Sequence, residues 1–111
     1  WATDHADPER GWELAASMAE TDLPINAAAN HALGGFRDID QITWVSALRC
    51  PVTFVHGTHD PRPVHTVRAL AAHASRARKR VVSDAGHLPW LEQPEQVREI
   101  LHEIVVNAAS G

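Results

Sequence analysis

Pro51-Val-Thr-Phe-Val-His56-Gly-Thr-His-Asp60-Pro-Arg-Pro63 and Arg80-Val-Val-Ser83-Asp-Ala-Gly-His87-Leu-Pro-Trp90 are the two stretches that decide the fold. Each begins with a short apolar run rich in β-branched residues. Each then breaks into glycine, proline and acidic residues. Such runs read as buried strands that end in loops. We expect strands over 51–56 and 80–83, with loops over 57–63 and 84–89.

The alanine-rich stretch between them, Val64 to Ala77, has Val67, Leu70 and Ala71 on one face and reads as a helix. After the second loop, residues 93–106 carry Val97, Ile100, Leu101, Ile104 and Val105 in one stripe. Pro94 and Glu95 stand where a helix opens. Strand, helix, strand, helix is a βαβ unit with a closing helix, so the strands should be parallel. Parallel strands are normally covered on both faces within larger sheets. Two of them make a poor sheet alone. The expected class is α/β, a βαβα portion of a larger parallel sheet spanning 50–111.

Residues 1–49 read differently. Trp1 to Arg10 is polar and expected to be irregular. Gly11 to Glu20 places Trp12, Leu14, Ala15 and Met18 near helical spacing. Asp22 can cap a second helix with Pro24 in its first turn, running through Ile25 to Ala32 and ending at Gly34-Gly35. One helical turn is expected around Ile42 to Leu48. This half is therefore a helical segment.

Composition sets the outer bounds. The chain has 111 residues, 44% hydrophobic and 22% charged, with a formal charge of −4, as expected of one small globular domain. That charge gives no reason to expect nucleic acid or an acidic membrane surface as partner. Arg76, Arg78, Lys79 and Arg80 cluster, but no aromatic lies among them to stack on a base; the patch reads as the polar end of a helix and a turn. The single cysteine, Cys50, cannot form an internal disulfide and is expected to be a buried thiol. No apolar stretch approaches the ~20 residues of a membrane span. No signal peptide is evident, and the expected compartment is the cytoplasm.

Functional groups in open parallel sheets gather at the C-terminal ends of the strands. Here one strand end offers Asp60 and the other His87. A serine hydroxyl needs a base near neutral pH, which imidazole supplies. The imidazole in turn needs a carboxylate to hold its tautomer and to tolerate its positive charge. Asp60 and His87 suit those two roles. Asp84, three residues before His87 in the same loop, reads as a solvated turn residue.

The spelling sharpens this. Val-His-Gly-Thr-His-Asp60, roughly 25 residues, then Ala-Gly-His87-Leu-Pro-Trp-Leu-Glu-Gln-Pro94 resembles the end of α/β-hydrolase-fold enzymes, over about Cys50 to Val106. The second motif is most similar to the proline iminopeptidase branch. The resemblance implies a triad in the order serine, acid, histidine, with Asp60 as the acid and His87 as the histidine. It makes the helical segment 1–49 the end of the lid. It also implies an acyl-enzyme mechanism on an ester or short peptide with no cofactor, while a hydrolase acting on carbon–halogen or carbon–carbon bonds shares this C-terminal architecture and stays open.

The departure is the nucleophile. None of the serines at 17, 46, 75, 83 and 110 sits in Gly-x-Ser-x-Gly, and the glycine-rich oxyanion segment is missing. Both precede the lid in that family. We therefore expect a fragment that needs the N-terminal part of the same fold and is inactive alone. The alternative is a non-catalytic α/β module that assembles with another chain. Eight histidines raise the question of zinc, with His56, His59, Asp60 and His65 the candidates. No paired Cys-x-x-Cys or His-Glu-x-x-His supports it. Trp90 is expected in the core or a pocket wall, and Glu92 to hold the last helix.

Overall fold

The computed structural model describes residues 4–17 and 23–110. The elements run α1 (Pro8–Ser17), α2 (Leu23–Leu33), α3 (Asp38–Ala47), β1 (Val52–Gly57), α4 (Val64–Ala71), β2 (Ala77–Val82), α5 (Pro89–Glu92) and α6 (Pro94–Ala109). β1 and β2 form a two-stranded parallel sheet in register from Val52↔Ala77 to Gly57↔Val82. The chain is a mixed helical protein with a small parallel sheet.

The centre is compact and small. Val82 and Ala85 are fully buried, and Ile100 of α6 covers them, with Val97 and Ile104 packed beside it. Three of the five stripe residues on α6 thus face this core. Leu101 and Val105, expected to join them, stay exposed. A contact face of only two strands is covered by one helical edge, so the flanks of the stripe find no partner.

Several element bounds differ from expectation. α1 opens at Pro8, inside the stretch expected to be irregular, because Asp7 Oδ1 accepts from the backbone N–H of Glu9 at 3.0 Å and of Arg10 at 3.3 Å. That satisfies donors a helix start leaves orphaned. The expected run on to Glu20, and Asp22, lie outside the described residues. α3 fills ten residues where one turn was expected. Asp40 accepts from the Arg37 backbone N–H at 2.9 Å and from its guanidinium, fixing the first turn. Phe36 and Trp44 meet edge to face at 5.0 Å between ring centres.

α4 stops at Ala71, short of Ala77, and β2 begins at Ala77, earlier than expected. β1 supplies the reason: six residues need six partners, and Val52 N–H already donates to Arg76 O at 3.0 Å. The basic cluster thus falls in and just before a strand, not on a helix end. Arg80 reaches across to α6 and pairs with Glu103 at 2.7 Å. Cys50 is exposed, not buried, because it precedes β1 outside the paired register.

Candidate functional site

Asp60 and His87 come together. β1 ends at Gly57 and β2 at Val82, so parallel pairing brings the loops after each strand side by side. The loops are then stitched to one another. Thr58 N–H donates to Val82 O at 3.0 Å and His59 N–H to Ala85 O at 2.9 Å. In return Asp84 N–H donates to Thr58 Oγ1 at 3.0 Å. Asp84 is exposed at φ +54°, a left-handed turn conformation that aspartate tolerates. It shapes the turn and faces solvent, as expected of it.

Across this seam His87 Nδ1 lies 2.8 Å from Asp60 Oδ2. A carboxylate only accepts, so the proton of that bond belongs on Nδ1, leaving the lone pair on Nε2. The His87 side chain is 41% exposed and that of Asp60 only 5%, so the acid is sheltered and the base open to a reactant. Among the described residues, none of the hydrogen bonds is made by Nε2.

The Asp60 carboxylate divides its work. Oδ1 accepts from the Arg62 backbone N–H at 2.9 Å, a turn that Asp-Pro-Arg forms readily. Oδ2 is left for His87. His56, buried at the end of β1, brings its Nδ1 within 3.8 Å of the same oxygen. Burial by itself pushes the Asp60 carboxyl up. The hydrogen bonds from His87 and Arg62, with the charge of His87 and His56, outweigh that and hold it below its ordinary value.

The other histidines disperse. His59 Nδ1 contacts Thr58 Oγ1 at 3.0 Å, and His65 sits exposed on α4. Among the described residues no group of three or more His, Cys, Asp or Glu side chains is arranged to hold a metal ion. Among the described residues, no serine hydroxyl is hydrogen-bonded to Nε2. Ser46 and Ser110 hydroxyls donate to carbonyls on their own helices, and Ser83 is bound through its backbone by Gln96.

Two expectations need correction. Trp90 is 55% exposed and is not core; α5 turns it outward while Pro89 goes in. Glu92 does not chiefly hold α6. Its Oε2 accepts from Gly86 N–H at 2.6 Å, beside His87, and its Oε1 from Ala6 N–H at 2.6 Å and Asp7 N–H at 3.3 Å. His5, buried, lies 3.3 Å from Oε2. Residues 4–7 also touch the site directly: Asp4 O accepts from His87 N–H, and Arg62 bridges Asp4 Oδ1 at 3.2 Å and Asp60 Oδ1 at 3.4 Å. Nothing in Asp4-His5-Ala6-Asp7 marks it as a neighbour of a residue more than eighty positions away.

Among the described residues, no helix is long and apolar enough to cross a membrane. Compared with protein-family models, with curated proteins and with solved structures, the chain matches none.

Proposed function

We propose that this chain supplies the acid and the base of a serine hydrolase, with the nucleophilic serine on a segment outside residues 1–111. The observation that carries the reading is the 2.8 Å contact between a sheltered Asp60 and a half-open His87 at adjoining strand ends. In that role His87 Nε2 takes the proton of the serine hydroxyl and later returns it to the leaving group. Asp60 holds the tautomer and offsets the charge of the imidazolium that forms in between. The reading includes the α/β-hydrolase fold, residues 1–49 as the end of its lid, and the cytoplasm as compartment. Its substrate class is an ester or a short peptide, with the His-Leu-Pro-Trp-Leu-Glu-Gln-Pro spelling favouring an N-terminal proline. No cofactor takes part.

The test is labelling of the whole gene product with a fluorophosphonate probe, which reacts only with an activated serine. The label should land on a serine outside residues 1–111 and disappear in His87→Ala. Absence of label, or labelling unaffected by His87→Ala, would overturn the reading.

One observation favours a second reading, a non-catalytic module that assembles with another chain: the described serine hydroxyls of α3 and α6 are bound to their own helices, away from His87. An upstream reading frame encoding Gly-x-Ser-x-Gly would remove that alternative.

A further inference from the structure

We infer that Glu92 is a positioning residue for the Asp60–His87 pair, acting as a clamp between the histidine loop and residues 4–7. Its side chain is 4% exposed, and a carboxylate so buried requires partners. It has them from two separate parts of the chain. Oε2 takes Gly86 N–H, the amide just before His87, while Oε1 takes Ala6 and Asp7 N–H. The segment gripped by Oε1 then holds the next amide itself, since Asp4 O accepts from His87 N–H. Two consecutive amides, Gly86 and His87, are thereby fixed, one by Glu92 and one by the strand of chain that Glu92 anchors.

Charge-assisted bonds from a buried carboxylate to backbone N–H are among the stronger hydrogen bonds a protein makes. With its backbone pinned at both amides, His87 has little freedom beyond its own side-chain torsions. The 2.8 Å bond to Asp60 sets those. Gly86 completes the fit: a Cβ there would overlap Asp4 O and the backbone of His5, so only glycine lets the segment lie this close. The inference takes its functional meaning from the hydrolase reading, but its test reads the Asp60–His87 bond itself. A whole gene product that fails to react with the probe would sink the hydrolase reading and leave the clamp standing.

The experiment is proton NMR of the whole gene product and of its Glu92→Gln variant. The His87 Nδ1 proton, held by Asp60, should give a downfield signal that vanishes in Asp60→Asn. Glu92→Gln replaces one accepting oxygen by an NH2 group, which cannot accept an amide. We expect a variant that still unfolds cooperatively but has lost that signal. A signal of wild-type position and width in folded Glu92→Gln would overturn the inference, reducing Glu92 to an anchor for residues 4–7. If Glu92→Gln does not fold, amide exchange in the unaltered chain decides. A clamp makes Ala6, Gly86 and His87 open together, with protection factors within about threefold of one another. Gly86 and His87 protected independently of Ala6 would overturn it.

Discussion

Gly57 and Gly86 lie against each other where β1 and the histidine loop meet. A Cβ on Gly57 would overlap the carbonyl oxygens of both Gly86 and Ala85. The approach lets the loop after β2 fold back over the end of β1, which carries His87 to Asp60. Neither glycine has a positive φ, so the requirement is space and not backbone conformation. Gly57→Ala should therefore cost about 1–3 kcal/mol, as overpacking against backbone that cannot retreat. Urea unfolding of the variant beside the parent chain measures it.

On the proposed hydrolase reading, His87→Ala in the whole gene product should abolish turnover, and Asp60→Asn should lower it by about 10⁴-fold, the loss expected if the carboxylate can no longer hold the tautomer. Substrate binding should change little in either. Asp84→Asn should stay near parental activity, since Asp84 faces solvent. Steady-state kinetics on p-nitrophenyl acetate distinguishes them. Loss of activity in Asp84→Asn with Asp60→Asn unimpaired would reassign the acid.

Asp60 also predicts an acid limb in stability. Its folded pKa lies below the ordinary aspartate value of 3.8, so above that value both folded and unfolded chains carry the charge and the contribution is whole. As pH falls past 3.8 the unfolded chain takes up the proton first. Stability is lost progressively until the folded carboxyl also protonates. Asp60→Asn should flatten this part of the pH profile. Urea midpoints measured from about pH 6 downward, in both proteins, would show parallel profiles if the pairing were absent.

Ile100→Ala should destabilise the chain by about 2–5 kcal/mol, because it opens a cavity over Val82 and Ala85. Leu101→Ala, one residue along but 56% exposed, should stay within about 0.5 kcal/mol. Equal effects from the two would mean that α6 is rotated from the face described.

The chain should self-associate in solution. Val55 and Val81 on the sheet, and Leu101, Val105 and Val106 on α6, are exposed together with Trp12, Trp44 and Trp90. Each of the two strands also has an outer edge to which no described strand is bonded, a template for pairing with another chain. Size-exclusion chromatography over a concentration series should show growing apparent mass; a concentration-independent monomer would contradict this.

The legible parts of this molecule are those with local punctuation. β1 and β2 could be read from Val-Thr-Phe-Val and Arg-Val-Val, each closed by a glycine- or aspartate-containing turn. Parallel pairing then brought Asp60 and His87 to adjoining strand ends, because functional loops follow from strand direction. What escaped reading depends on contacts distant in sequence. The start of β2 is set by pairing with β1 rather than by the composition of Ala77 to Arg80, so alanine and arginine there read as helix. α3 owes its first turn to Arg37 and Asp40, whose reciprocal bonds no apolar periodicity records. Glu92 has distant partners at Ala6 and Asp7 beside its near one at Gly86, and only the fold reveals the distant ones.

The spacing of these contacts orders their formation. His87 and Asp60 are 27 residues apart, whereas Glu92 and Ala6 are separated by 86. Closing the longer loop costs about 1 kcal/mol more in chain entropy. Chain entropy therefore favours the meeting of Asp60 and His87 over that of Glu92 and Ala6. The Glu92–Gly86 bond spans only six residues, so of the clasp's contacts only those with residues 4–7 bear the long-loop cost, and we expect these to close after the rest.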